Sequence, residues 1–389
     1  MDIKSLDKTY VAGTYNRFPV QIVRGSGSEV FDENGKRYID LGSGIAVTSF
    51  GIGDEAWKQA VVQQIGQVQH MSNLYYTEPC ARLAEMLCSR TGMKKVFFSN
   101  SGAEANECAI KVARKYAMEH RGADCYTIVT LKNSFHGRTL TTLAATGQDH
   151  YHELFQPLTP GFAHVEAGNR EELEQLCAST PVAAVLVECV QGEGGVIALS
   201  PEYLQWLRDY TEKQGILLMI DEVQTGNGRT GELYAYMHYG IMPDVVSNAK
   251  GLAGGLPLGA TMLGEKVQDV LGFGDHGSTF GGNPVCCAAA LSILERLDAP
   301  FLKTVQEKSK YVRGRLSETP GVNMVSGLGL MVGISTEKAA GDVVRSGMEH
   351  GILCLTAKDR VRLLPALNIP MPVLEEAMDV LCGVIAGTI

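Results

Sequence analysis

The sequence has no surplus of basic residues. Lys and Arg number 34 against 43 Asp and Glu, which gives a formal net charge of -9 at pH 7. Proteins that bind nucleic acid or an anionic membrane surface usually carry a basic surplus that meets the phosphates. The composition therefore argues against both kinds of partner and favours small molecules.

Long apolar runs are also absent. No run approaches the ~20 residues that a membrane-spanning helix requires. The first residues lack the basic head and apolar stretch of a secretory signal. We therefore expect no membrane association and no secretion.

Cysteine patterns of disulfide frameworks and metal sites are missing as well. The ten cysteines are scattered without a Cys-x-x-Cys pair, which is typical of buried thiols in a reducing cytoplasm. His150 and His152 could contact a metal ion, but no third ligand follows at a matching spacing. The sequence therefore predicts a cytoplasmic protein without a metal site.

The sequence does contain a repeated alternation of short apolar runs and helical patterns. Predicted strands lie at 95–99, 126–131, 183–188, 215–220 and 244–247. Alternation with all-apolar strands predicts an α/β fold in which helices cover both faces of a mostly parallel sheet. Beyond residue 284, helical patterns and short strands predict a smaller α+β domain, which we expect to take in an N-terminal hairpin.

Two of the predicted strands deliver a lysine and an acid to one edge of the sheet. Lys250 follows the strand at 244–247, and the strand at 215–220 closes on Asp221. Open α/β sheets place their chemistry at such strand ends. A desolvated lysine can form a Schiff base, and a fixed carboxylate keeps a pyridine ring protonated, so the pair suits pyridoxal phosphate. A lysine alone would more often be a solvated surface residue.

Two segments could bind a phosphate. Ser101, Gly102 and Ala103 lie between a strand and a helical pattern, where backbone N–H groups and the positive helix end can face an anion. A capped helix with small residues for tight packing is equally compatible. Ser278 and Thr279 form a hydroxyl pair in a glycine-rich loop, which suits a phosphate, a substrate carboxylate or a simple capping turn.

Other candidate residues flank the same strand ends. Arg138 could clamp a substrate carboxylate with its planar guanidinium, although a surface ion pair is the commoner role of an arginine. Phe135 could stack on a flat cofactor or fill the core. The loop at 191–195 follows Glu188 and could bring Glu193 to the cleft, with Glu188 beside the cofactor, or be only a turn.

A rival motif, a literal G-x-G-x-x-G, spans residues 226–231. This pattern can cradle the pyrophosphate of a dinucleotide, but its first glycine should stand at the strand-to-helix turn itself. Here residues 221–225 intervene, and no clear acidic strand end follows about twenty residues later. A nicotinamide-dependent oxidoreductase is therefore the less favoured alternative.

Taken together, these motifs resemble the class III aminotransferases, pyridoxal-phosphate enzymes of fold type I. The resemblance runs through nearly the whole chain, and it includes the stretches at 43–47, 72–77 and 362–365. It implies a large cofactor-binding domain with a sheet of the seven-stranded type, a small C-terminal domain and an N-terminal segment that packs with the small domain. The corresponding boundaries are 53–285, 286–389 and 1–52.

The resemblance also assigns cofactor contacts. It makes Lys250 the Schiff-base lysine, which also moves the proton between Cα and the cofactor carbon, and it pairs Asp221 with the pyridine nitrogen. Gln224 would bond the phenolic oxygen, while Phe135 and Val223 would enclose the ring. The implied phosphate contacts are those of Ser101, Gly102 and Ala103, together with Thr279 reaching in from the neighbouring subunit. A site completed across subunits implies a homodimer.

For the substrate, the resemblance implies a transfer of nitrogen from N2-acetyl-L-ornithine to 2-oxoglutarate, a step of arginine biosynthesis. Arg138 would bind a carboxylate and Ser278 the acetylated donor. Glu193 and Arg362 would open or close to admit either the donor or glutamate. Succinylornithine, succinyl-diaminopimelate, ornithine, carrier-bound lysine precursors and 4-aminobutyrate stay open as donors, and an aminomutase on the same scaffold is an alternative of another reaction class.

Two positions depart from the family pattern. Residues 54–57 replace a turn that usually contains His-Pro, and Asn227 stands where a small or apolar residue is more usual. Neither position carries a role in the chemistry that the resemblance implies. The stretch at 42–45 also lacks the tyrosine expected of enzymes that act on free ornithine, which favours an acylated donor.

Overall fold

The computed structural model describes residues 2–389. Its strands, in chain order, are β1 (Ile22–Ser26), β2 (Glu29–Asp32), β3 (Arg37–Asp40), β4 (Lys95–Ser99), β5 (Thr127–Leu131), β6 (Phe162–Val165), β7 (Val182–Val187), β8 (Val190–Gln191), β9 (Ile197–Ala198), β10 (Leu217–Asp221), β11 (Val245–Asn248), β12 (Gly259–Leu263), β13 (Val322–Leu328), β14 (Met331–Thr336), β15 (Ile352–Leu353), β16 (Leu355–Ala357) and β17 (Arg360–Leu363).

The α-helices, in chain order, are α1 (Ile3–Tyr10), α2 (Ser43–Ala46), α3 (Glu55–Ile65), α4 (Glu78–Thr91), α5 (Gly102–Arg121), α6 (Leu140–Ala145), α7 (Arg170–Ser179), α8 (Pro201–Gln214), α9 (Pro284–Leu294), α10 (Ala299–Ser317), α11 (Ala340–Glu349) and α12 (Met371–Ala386). No helix among residues 2–389 is both long and apolar enough to cross a bilayer.

The central sheet has seven strands in the order β4-β12-β11-β10-β7-β5-β6. Its strands are parallel except for β12, which is antiparallel to both of its neighbours, β11 and β4. Residues of β7 and β10 are buried throughout, as expected for strands covered on both faces. The α/β fold with a mostly parallel sheet is thus confirmed.

The reversed strand β12 has a consequence for the site. Because β12 opposes both neighbours, β4 runs in the same direction as β11 and β10. The carboxyl ends of all three strands therefore meet at one edge of the sheet. Ser99 ends β4, Asp221 ends β10 and Asn248 ends β11, so the loops after them converge.

Local signals in the sequence account for most helix boundaries. Helix α8 begins with Ser200 as N-cap and Pro201 in its first turn, and it ends at Gly215 in a left-handed conformation. Helix α3 begins after Asp54, whose side chain caps it, and ends at Ile65. Gly66 follows at once, and glycine is a poor helix former.

Elements near the two termini pack together. Strand β3 pairs in parallel with β15, with Ile39 opposite Ile352, so the N-terminal hairpin joins a sheet with the C-terminal part of the chain. A second four-stranded sheet, β13-β14-β17-β16, carries Arg362 on β17. The division of the chain at 52 and 285 stays a prediction.

Candidate active site

A cavity of about 420 Å³ opens at the carboxyl edge of the central sheet. It gathers most of the predicted site residues, which are Ser101, Gly102, Ala103, Phe135, Arg138, Glu188, Asp221, Val223, Gln224 and Lys250. Glu193 and Arg362 contact Gln224, which lines the cavity. Ser278 and Thr279 line a different recess of the same chain.

Lys250 stands just beyond the end of β11 in an uncommon backbone conformation. Its φ is 45°, in the left-handed region that side chains other than those of glycine and asparagine rarely adopt. Burial lowers the pKa of its amine, and this effect outweighs the charges of Glu193, Asp221 and Glu188, which raise that pKa. A lysine that loses its proton easily is suited to act as a nucleophile and as a base.

Asp221 is held by two side chains for which sequence analysis gave no role. The Nδ1 atom of His136 and the Nδ2 atom of Asn106 both lie 2.8 Å from its Oδ2 atom. The backbone N–H of Val223 donates to its Oδ1 atom, and Ser247 donates to the Oδ1 atom of Asn106 at 2.6 Å. The carboxylate at the end of β10 is therefore fixed in orientation. His136 lies next to Phe135 in the sequence, and a single histidine there carries no spacing that indicates a contact with Asp221.

The N-terminus of α5 faces the cavity beside Val223. Ser101 is the N-cap, and its hydroxyl accepts a hydrogen bond from the N–H of Glu104 at 3.2 Å. A Cβ atom at Gly102 would lie 2.6 Å from the Cγ1 atom of Val223, so only glycine fits there. The first N–H groups of a helix have no partner within it and can bind an anion. Gly102 and Ala103 supply such groups at the cavity wall.

Glu188 connects two loops of the site. Its Oε2 atom accepts the N–H of Phe135 at 3.0 Å, and its Oε1 atom accepts the N–H of Gly192 at 3.2 Å. Burial raises the pKa of Glu188 to about 7. One carboxyl group therefore holds both the backbone at Phe135 and the loop that carries Glu193.

Glu193 and Arg362 form a largely buried ion pair. The Nη1 atom of Arg362 lies 2.6 Å from the Oε1 atom of Glu193 and 3.2 Å from the Oε1 atom of Gln224. Although burial would raise the pKa of Glu193, the charge and hydrogen bond of Arg362 outweigh it and lower that pKa. Arg362, the second arginine predicted for the site, is thus paired with a carboxylate of the protein itself.

Arg138 differs from Arg362 in its surroundings. It is exposed at the cavity, and its guanidinium lies near the rings of Phe135 and Tyr151, at 5.8 and 5.5 Å from their centres. Among residues 2–389, no carboxylate lies within salt-bridge distance of it. Its forked donors remain available to a ligand.

The recess at Ser278 and Thr279 adjoins exposed apolar side chains. Asn73 donates to the backbone carbonyl of Ser278 at 3.0 Å, and Asn100 donates to the Ser278 hydroxyl at 3.1 Å. Phe280, which follows Thr279, and Tyr76, which lies shortly after Asn73 in the sequence, are both exposed. Asn100 itself lines the cavity of Lys250, so the two hollows are neighbours although Thr279 does not line that cavity.

The G-x-G-x-x-G segment does not form a pyrophosphate cradle. No helix begins at Gly226, and the segment instead buries Arg229, which donates to the carbonyls of Leu330 and Pro365 at 3.1 and 2.6 Å. Burial lowers the pKa of Arg229 to about 9. The glycines here allow close packing against the C-terminal part of the chain, where Gly329 meets the backbone of Thr230.

These groups fit pyridoxal phosphate. The cavity combines a desolvated primary amine at Lys250, an oriented carboxylate at Asp221 and a helix N-terminus with small residues for a phosphate. Each matches one part of the cofactor: the aldehyde, the ring nitrogen and the phosphate. The ring could lie between the side chains of Phe135 and Val223, which both line the cavity.

Comparison with known proteins agrees with this chemistry. The model of the class-III aminotransferases matches residues 10–385. Acetylornithine aminotransferase from Haemophilus ducreyi is 49% identical over 386 residues, which cover 99% of this chain and 98% of the relative.

Solved structures of aminotransferases are also similar. N-acetylornithine aminotransferase from Stenotrophomonas maltophilia K279a has a TM-score of 0.86 and 35% identity, over 99% of this chain and 98% of that chain. Ornithine aminotransferase from Toxoplasma gondii, in a structure with partial occupancy of PLP at its active site, has a TM-score of 0.93 and 31% identity, over 99% of this chain and 94% of that chain. The chain therefore belongs to the class-III aminotransferases and is a pyridoxal-phosphate-dependent enzyme of fold type I.

Proposed function

We propose that the protein transfers the side-chain amino group of N2-acetyl-L-ornithine to 2-oxoglutarate, giving N-acetyl-L-glutamate 5-semialdehyde and L-glutamate. This reaction belongs to arginine biosynthesis. Support comes from the relatives of Haemophilus ducreyi and Stenotrophomonas maltophilia, both acetylornithine aminotransferases and both similar over nearly the whole chain.

The observation that carries the proposal is the unequal state of two arginines at the site. Arg138 is exposed and free of carboxylates, whereas Arg362 is buried and paired with Glu193. The acetylated donor has one carboxylate, which one free guanidinium can bind through two oxygens. The acceptor 2-oxoglutarate has two carboxylates, and Arg362 can bind the second when Glu193 moves away from it.

The residues at the cofactor have separate tasks in this proposal. Bound pyridoxal phosphate supplies an electron sink. Lys250 binds the cofactor aldehyde and then, as a free amine, moves a proton at the substrate carbon that bears the amino group. Asp221 keeps a proton on the ring nitrogen, and Gln224 bonds the phenolic oxygen. Phe135 and Val223 hold the ring between them.

The phosphate is bound in this proposal by two subunits of a homodimer. Ser101, Gly102 and Ala103 contribute from one chain and Thr279 from the other. The recess of Thr279 offers apolar surface for a second copy, because Leu74 of its lining is exposed and so are Tyr76 and Phe280, which follow its two lining segments closely in the sequence. Mixing Lys250→Ala with Thr279→Ala chains tests this arrangement, because a hybrid dimer regains one intact site. Activity no higher than that of the two parents would contradict the shared site.

The visible absorption spectrum of the purified protein tests the substrates. We expect a cofactor band that disappears when N2-acetylornithine is added and returns when 2-oxoglutarate follows. Succinylornithine, ornithine and 4-aminobutyrate serve as comparisons, because one acyl group or methylene changes discrimination by only ~1–3 kcal/mol. A band that ignores acetylornithine but responds to another amine would assign that amine instead. A change that reverses without any 2-oxo acid would indicate an aminomutase.

We also propose that the enzyme works in the cytoplasm. All ten cysteines are free, and six of them are buried. Thiols in this state suit a reducing compartment. Localisation of the tagged full-length chain by microscopy or fractionation tests this placement, and recovery from an oxidising compartment would contradict it.

A further inference from the structure

A pair of buried amides adjoins the segment that carries Lys250. The Nδ2 atom of Asn227 donates to the Oδ1 atom of Asn248 at 2.8 Å, and the Nδ2 atom of Asn248 donates back to the Oδ1 atom of Asn227 at 3.0 Å. The two residues are 2% and 0% exposed. Asn227 belongs to the loop after β10, and Asn248 is the last residue of β11. The pair therefore joins the loop after β10 to the end of β11, two residues before Lys250.

All donors of the amide pair are used. The second hydrogen of Asn227 goes to the backbone carbonyl of Ala249 at 3.1 Å, and that of Asn248 goes to the hydroxyl of buried Tyr234 at 2.7 Å. Buried polar networks stabilise a unique arrangement only when every member is satisfied. Both side-chain amides meet that condition, so the pair has the rigidity that a positioning element needs.

The bond to Ala249 acts on Lys250 through a shared peptide plane. The carbonyl of Ala249 and the N–H of Lys250 belong to the same planar unit. Two groups grip that carbonyl, the Nδ2 atom of Asn227 and the backbone N–H of Leu252 at 2.9 Å. Lys250 has a φ of 45°, a conformation that costs free energy and persists only where the surroundings enforce it. The Asn227 amide supplies part of that enforcement.

Residue 227 also meets a second requirement. Its own φ is 57°, and asparagine is the residue with a side chain that best tolerates this region. A small apolar residue at this position could neither bond Asn248 nor reach Ala249. The departure from the family pattern at 227 is thus matched by Asn248, its partner in the pair.

We propose that Asn227, together with Asn248, is a positioning residue for Lys250 and holds the lysine in the backbone conformation that aims its amine into the cavity. The inference rests on the proposed role of Lys250 in transamination. It does not depend on which amine is the donor.

Asn227→Gly tests the side-chain amide alone. Glycine adopts the left-handed backbone conformation freely, so the variant keeps the backbone of residue 227 and loses only the side-chain amide. Asn248→Ser removes the other half of the pair and serves as a second variant. The matched control is Asn169→Ala, which loses the N-cap of α7, an exposed site remote from the cavity, and so lowers stability without touching Lys250.

Hydrogen exchange of the cofactor-loaded enzyme gives a readout that does not depend on activity. We expect exchange in peptides that cover residues 248–253 to speed up about tenfold in Asn227→Gly, as befits one lost hydrogen bond, and to stay unchanged in Asn169→Ala. Unchanged exchange in both Asn227→Gly and Asn248→Ser would overturn the proposal.

Kinetics of the same variants separate positioning from plain stability. With Lys250 misplaced, kcat should fall about tenfold or more, while KM for 2-oxoglutarate stays unchanged because Arg138 and Arg362 are untouched. A loosened Lys250 regains water, so its pKa rises and the acidic limb of the kcat profile moves to higher pH. Faster exchange with normal kcat and an unmoved pH profile would make the pair merely structural and overturn the proposal. If acetylornithine is not a substrate at all, the exchange measurement still decides the role of Asn227.

Discussion

The Nδ1 atom of His136 lies 2.8 Å from the Oδ2 atom of Asp221, and both side chains are almost fully buried. Asn106 donates to the same oxygen, so the carboxylate keeps one direction. A carboxylate that is already oriented needs no reorganisation when it meets a cationic ring nitrogen. The two residues act as a unit in which His136 positions Asp221.

The first prediction concerns this unit. Asp221→Asn should leave the cofactor bound but poorly reactive, because an amide cannot keep the ring nitrogen protonated. His136→Gln should lower kcat less, since Asn106 still holds the carboxylate. Absorbance measures how much cofactor is bound, and kcat of the same preparations measures how reactive it is, so the two effects can be distinguished. Near-normal activity of Asp221→Asn would contradict the electron-sink role.

The second prediction concerns Lys250. Lys250→Ala should abolish turnover and the visible band of the covalently held cofactor, because no other amine lines the cavity among residues 2–389. Lys132→Ala removes an exposed lysine that pairs with Glu166, and it is the control for loss of a charge. Transamination that survives in Lys250→Ala would remove Lys250 from the reaction.

The third prediction concerns Arg138. Arg138→Lys keeps the charge but loses the forked geometry, so KM for both substrates should rise about tenfold with a smaller change in kcat. Arg170→Lys, at a surface arginine near Trp206, is the control. Steady-state kinetics with each substrate varied in turn measure the effect. An unaltered KM would place the carboxylate site elsewhere.

The fourth prediction concerns Glu193. Glu193→Gln removes the charge that engages Arg362, so Arg362 becomes available to a second carboxylate. The ratio of kcat/KM for glutamate to that for acetylornithine should increase, because only glutamate gains a partner. Glu166→Gln removes a surface carboxylate of similar size and should leave the ratio unchanged. A ratio that falls or stays constant in Glu193→Gln would argue against a gating role for the pair.

The fifth prediction concerns the pH dependence of stability. Burial raises the pKa of Glu222 to about 7 from a usual 4.5. The folded state therefore binds a proton more tightly than the unfolded state, and this carboxyl lowers stability as pH rises from about 4.5 to about 7, by roughly 3 kcal/mol. Glu188, whose pKa burial also raises to about 7, adds to the same fall.

In Glu222→Gln, the free energy of unfolding should decrease less than in the wild type as pH rises. The residue lies outside the cavity and accepts hydrogen bonds from Thr225 and the N–H of Tyr236. Urea unfolding at several pH values between 4 and 8, with wild type and variant in the same cofactor state, measures the change. Equal pH dependence of the two proteins would show that Glu222 ionises normally.

Much of the central fold was predictable because its signals are local. The bounds of helices α4 and α8 are marked in the sequence, since each helix has Pro in its first turn and Gly immediately after its last residue. Strand β12 was missed, because it follows a glycine-rich loop and carries no alternation that marks it. Its reversed direction arises from pairing with β4 and β11, which no local pattern encodes.

The site was predictable where chemistry and strand ends coincide, as for Lys250 and Asp221. His136 and Asn106 were not found, because a residue that acts through another shows no pattern of its own before the fold brings them together.

The departure at 54–57 has a structural explanation. Asp54 caps α3 and pairs with Arg296 at 2.8 Å, and Trp57 donates to the carbonyl of Ala253 at 2.9 Å, close to the loop of Lys250.

The left-handed backbone conformation at Lys250 serves catalysis and lowers the stability of the fold. A glycine at 250 would relieve the φ of 45° and remove a desolvated amine, so Lys250→Gly should unfold at a higher temperature than its parent when both are free of cofactor, and it should catalyse nothing. Selection for stability alone would have discarded this lysine. The backbone conformation at Lys250 thus costs stability and serves the chemistry alone.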